Sequence, residues 1–247
     1  MLTALLWGLA GGSTLVVGSL IGCFAQLPRR VTAAVMAIGA GVLIASVAYE
    51  LVGEAADTGS LAAVSLGLGF GSLAFFVGDV LISRSGGSDR KRSSLPTRAG
   101  TAAAGSAGAA LALGALLDGI PESAAIGITL LEGGAPSTAF IVAVALSNLP
   151  EGLSSSVGMR QRGHSVRFIL LIWVGIAVAS GLAAAVGYAA MGDASPATTA
   201  FVLSFAAGAV LTMLASTMLP EAVQEGGPMV GLLTTAGFLA AVLLDRL

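Results

Sequence analysis

The sequence predicts an all-α integral membrane protein, a bundle of eight transmembrane helices forming one domain over residues 1–247. Three observations predict it. Hydrophobic residues make up 56% of the chain and charged residues 10%, whereas soluble domains run near one-quarter charged. Apolar runs of the length a bilayer crossing needs, about 20 residues, recur eight times. The Lys and Arg residues gather in alternate connections between those runs, the pattern of a multi-span protein. The 35 glycines suit helices that approach closely in lipid.

Taken in order, residues 2–25 form the first span. It lacks a charged leader and is long enough to cross, so it reads as a span and not a cleaved signal peptide. PRR at 28–30 ends it. The second span, 31–55, stops at DTGS (57–60) and the third covers 60–83. SRSGGSDRKRSSLPTR (83–98) then reads as a flexible basic loop, at about residues 84–99, too polar to bury a face. The fourth and fifth spans, 100–130 and 137–159, are separated by EGGAP (132–136). RQRGHSVR (160–167) leads into the sixth, 167–191, and GDASP (192–196) into the seventh, 197–222. GGP (226–228) precedes the eighth, 229–245.

Arg29 and Arg30 follow the first span, Arg84, Arg90, Lys91, Arg92 and Arg98 the third, and Arg160, Arg162 and Arg167 the fifth. Only Arg246 falls elsewhere. The positive-inside rule makes those connections cytoplasmic and both termini extracytoplasmic. Size and the Ala/Gly bias fit the plasma membrane of a bacterium, the inner one. Nothing in the charge distribution supports nucleic-acid binding. Cys23 is the only cysteine, which excludes an intrachain disulfide and a thiolate metal cluster. An intramembrane metalloprotease needs two histidines in an H-E-x-x-H helix; the only histidine, His164, lies in a connection, so no enzyme is expected.

Two segments echo others. GAGVLIASVAYELVGEA (39–55) aligns with AAGAVLTMLASTMLPEA (206–222), Gly41 on Gly208 and Glu54-Ala55 on Glu221-Ala222. DGIPES (118–123) aligns with SNLPEG (147–152). In the expected topology each pair runs in opposite directions, which predicts inverted repeats with a site near the midplane.

That second echo carries the chemistry. Ionisable residues at membrane depth usually face a protein interior or a water-filled cavity. Asp118 stacks with Glu122 and Ser147 with Glu151, each pair four residues apart on one helical face. Pro121 and Pro150 free the carbonyls of Leu117 and Leu146, four residues earlier. If the two helices pack together, three carboxylates and a hydroxyl converge into an oxygen-rich site for a divalent cation. Glu50 and Glu54 near the outer end of the second span, and Glu221 with Glu225 near the inner end of the seventh, then read as entrance and exit.

The motifs D-G-I-P-E-S and S-N-L-P-E-G resemble the metal-binding helices of the ZIP (Zrt/Irt-like protein) transporters, which carry H-N-x-P-E-G or a near variant. LVGEA (51–55), LPEA (219–222) and SGLAAAVG (180–187) extend the resemblance over most of the chain. It implies a 3+2+3 arrangement of spans and import of divalent cations into the cytoplasm by alternating access. It also implies a homodimer, with the metal as cargo and no separate cofactor. The site it implies is Asp118, Glu122, Ser147 and Glu151, with Asn148 at the edge. Asp118 and Ser147 stand where the family has histidine, and Gly119 and Ala184 where it has ligands for a second metal. One metal is therefore expected, with zinc as the family default and selectivity shifted toward Mn²⁺, Fe²⁺ or Mg²⁺ by the lack of His and Cys.

Overall fold

The computed structural model describes residues 1–25, 27–84, 104–133 and 138–244; the basic connection expected at 84–99 lies, beyond Arg84, outside them. The described residues are helical and contain no strand. In chain order the helices are α1 (Leu2–Phe24), α2 (Arg29–Thr58), α3 (Leu61–Ile82), α4 (Ala104–Gly133), α5 (Thr138–Gln161), α6 (Val166–Met191), α7 (Pro196–Gly226) and α8 (Met229–Leu244). The first seven contain stretches long and apolar enough to cross a membrane. The chain is thus a multi-pass helical membrane bundle. The eighth expected span is a 16-residue helix, about 24 Å long at 1.5 Å per residue, against a hydrocarbon core of about 30 Å.

The breaks follow local chemistry. Ser60, Ser165 and Ser195 cap α3, α6 and α7, each side-chain oxygen accepting a backbone N–H three residues on. Gly227 turns between α7 and α8 at φ 65°, a left-handed conformation that glycine adopts without a Cβ clash.

Two helices depart from regular α geometry at matching places. In α2 a π-helical stretch runs over Val47–Gly53, and in α7 over Leu214–Met218. Under the alignment of the two segments, Val47 falls on Leu214, so both irregularities begin at the same position.

Helix packing is dominated by close crossings. The largest interfaces join α1 to α5, α4 to α6, α2 to α8 and α3 to α7, with α1 also lying along α6. In each of the first four, glycines let one backbone sit against the carbonyls of the other. A methyl on Gly18 would strike the Leu149 carbonyl and one on Gly152 the Leu15 carbonyl. Gly127 and Gly187 do the same between α4 and α6, Gly41 and Gly237 between α2 and α8, and Gly71 and Gly208 between α3 and α7. Such small-residue contacts supply the van der Waals packing that lipid does not. Exchanging α1 with α6, α2 with α7, α3 with α8 and α4 with α5 converts each of these pairings into another that is present.

The main core gathers buried residues of α2, α4, α5 and α7 around Leu43, Ile126, Phe140 and Leu203, and a smaller one packs Trp173 against Leu15 and Met159. Leu171 and Leu232 leave large apolar side chains exposed on the outside, as lipid-facing surfaces do.

Candidate metal-binding site

α5 brings the second proline–glutamate motif into the centre. Ser147 and Asn148 are buried and Glu151 is half-buried. Ser147 Oγ donates 2.9 Å to the Val144 carbonyl of its own helix, which leaves its lone pairs free to accept or ligate. Asn148 Nδ2 donates 3.1 Å to the Gly11 carbonyl of α1. That bond pins α5 to α1, so Asn148 acts first as an interhelical tie. The Leu146 carbonyl that Pro150 frees is turned onto α2, where a methyl on Gly39 would approach it to 2.8 Å. It therefore serves the α2–α5 contact.

α4 carries the first motif. Glu122 is 2% exposed and flanked by buried Ser123. The side chain of Asp118 lies outside the described residues. Convergence of the two motifs requires α4 and α5 to pack against each other; they touch only lightly, since α5 lies mainly on α1 and α4 on α6. Gly11 of α1 sits beneath the junction, with Val144 of α5 and Ile126 of α4 both near the space its missing side chain leaves. Among the described residues, no three His, Cys, Asp or Glu side chains gather into a group that could hold a metal ion. Of the two positions read as lost ligands, Gly119 has room for a Cβ beside Ser180, and fully buried Ala184 lies at the crossing of α1, α4 and α6.

What Glu151 does face is a chamber of ≈20 Å³ between α2, α5 and α7, lined by Ser147, Pro150, Glu151, Ser154, Met36, Met213, Met218 and Glu221. Room on that scale suits one water molecule or one unhydrated ion. Glu221, 8% exposed, is thereby placed beside the α5 motif. Sequence spacing could not reveal this, because the two residues stand 70 positions apart on different helices.

Ser154 also lines a larger vestibule of ≈420 Å³, which has Cys23, Arg29, Thr32, Arg160, Gln161 and Glu225 in its wall. It lies at the helix ends that carry Arg29 and Arg160. Glu225 thus lies in the wall of the vestibule and Glu221 and Glu151 in that of the chamber, with Ser154 common to both. Glu50 and Glu54 sit near the opposite end of α2; Glu54 is partly buried and its Oε1 accepts 2.9 Å from Thr58 Oγ1. Cys23 belongs to the vestibule wall rather than serving only as a packing residue.

No model of a known protein family matches the chain, and a search of curated proteins also finds no match.

Proposed function

We propose that the chain is a divalent metal cation transporter of the ZIP type, carrying its cargo into the cytoplasm along carboxylates of α4, α5 and α7. The observation that carries this reading is a vestibule that shares Ser154 with a small chamber holding Glu151, Ser147 and Glu221. A partly hydrated cation entering an apolar bundle loses solvation worth many kcal/mol, which carboxylate oxygens can replace. Two carboxylates and a hydroxyl around one ion-sized space supply such a replacement, and Glu225 at the mouth continues it outward.

The arginine-bearing end is the cytoplasmic one in this reading, so the vestibule by Glu225 opens inward. The paired π-helical stretches and the exchangeable helix pairings support an inverted repeat of eight crossings, the symmetry that alternating access exploits. Both termini are then extracytoplasmic, in the plasma membrane of a bacterium, and the working unit is a homodimer. Asp118, Glu122 and Glu151 form the central ligand set with Ser147. Asn148 steadies it through α1, and zinc competes with Mn²⁺, Fe²⁺ and Mg²⁺ for oxygen donors.

Purified chain in liposomes should accumulate at least one of Zn²⁺, Mn²⁺, Fe²⁺ and Mg²⁺ above protein-free vesicles. Failure with all four would sink the reading in favour of a proton- or other cation-handling carrier or a non-transporting relative.

A further inference from the structure

We propose that the chamber between α2, α5 and α7 binds a thiophilic d-block cation, with Cu(I) as its best match. The donors are the thioethers of Met36, Met213 and Met218 together with a carboxylate of Glu151 or Glu221. The inference rests on reading the chamber as part of the cation path, and it adds the chemical class of ion that the chamber holds.

Three of the seven methionines in the chain line this one space. All three are buried, Met36 on α2 and the other two on α7. On a regular α-helix, residues five apart lie about 140° around the axis, so Met213 and Met218 could not both face one small chamber. The π-helical stretch Leu214–Met218 intervenes, and its i→i+5 hydrogen bonding stacks residues five apart. The irregular turn thus brings both side chains to the wall of the same chamber. π-helical turns are rare and concentrate at functional sites. The matching stretch of α2 places Ser46 and Leu51 at the corresponding positions, so the paired thioethers belong to α7 alone.

Methionine commonly fills irregular gaps in an apolar core. This gap is not apolar, because Glu151, Glu221 and Ser147 share its wall. Thioethers are soft, neutral donors that select Cu(I) over hard ions, and the carboxyl groups of Glu151 and Glu221 supply the balancing charge. Three buried methionines therefore favour a soft ion, while Mg²⁺ gains nothing from the sulfurs.

The test uses the full chain carrying Cys23→Ser, which removes the only thiol, and Ag(I) as a redox-inert stand-in for Cu(I). Calorimetric titration should give one Ag(I) per chain, and X-ray absorption should show sulfur neighbours around the metal. Met213→Leu with Met218→Leu conserves side-chain volume and should weaken binding by about tenfold or more. Met36→Leu, on a different helix, should weaken it in the same direction, and serves if the double variant loses its thermal transition. Met159→Leu, in the core beside Trp173, should leave affinity within about twofold, as expected outside the ligand shell. No Ag(I) bound, a sulfur-free shell, or equal affinity in the methionine variants would overturn the assignment. Divalent flux measured in the same liposomes separates the two ideas. Flux without Ag(I) binding removes only the soft-ion site, and Ag(I) binding without flux removes only the transport reading.

Discussion

Single residues in this bundle divide into those that let backbones touch and those that handle charge. Gly152 is of the first kind, since a side chain there would collide with the Leu15 carbonyl, while Gly158 on the same helix has nothing within 4 Å. Gly152→Ala should therefore destabilise the protein by about 1–3 kcal/mol through overpacking. Gly158→Ala should be neutral, or stabilising by up to about 1 kcal/mol from helix propensity. Thermal unfolding of the two purified variants checks this, and equal transitions would contradict the crossing. The charge-handling residues were partly legible in the sequence. Proline beside glutamate in an apolar run pointed to Glu122 and Glu151 because an intramembrane carboxylate demands a reason. The neighbourhood of Glu151 was not legible: Glu221 shares its chamber through tertiary packing, and no spacing along one helix encodes that.

Helical elements were readable because apolar length and turn chemistry mark them directly, and the structure alters their ends by only a few residues. Their irregularities were not readable. A π-helical turn leaves hydrophobicity unchanged and shows only as a phase slip, so α2 and α7 looked like plain spans. The slip has a consequence for α7, where it decides which residues beyond Leu214 face the chamber. Deleting Ala215 should let the stretch close into regular α-helix with Met218 and Glu221 four and seven residues after Met213, still on the same face. The variant should insert, fold and keep cation uptake in liposomes. Loss of uptake would show that the π-helical stretch does more than set which face the path lies on. The expected α4–α5 interface failed for a related reason. Adjacent spans with short links usually pack side by side, but the glycines of α1 and α6 offer closer contacts, and each motif helix takes one of those instead.

At the scale of the whole molecule, the membrane class follows from composition, while the number of crossings turns on α8. Its 16 residues can cross where the bilayer thins locally, at a modest cost per ångström of mismatch. With eight crossings, tags at both termini should be cleaved by protease added outside spheroplasts. The Cys23 thiol in the vestibule should react with an impermeant reagent only from the cytoplasmic side. A protected C-terminus would reduce the count to seven, and external labelling of Cys23 would reverse the orientation. The exchange of helix pairings within the bundle matches the symmetry that alternating access exploits, so in the proposed transport cycle a path open at the Glu225 end goes with a closed one by Glu50 and Glu54. The claim on which all of this converges is that Glu151 and Glu221 carry the cation. Tracer flux of the transported metal into liposomes, compared among wild type, Glu151→Gln and Glu221→Gln at matched protein content, tests it most directly. Each substitution keeps the shape and removes the charge, so flux should fall by about tenfold or more in both; flux within about twofold of wild type in either variant, too small a change for a lost ligand, would contradict the account.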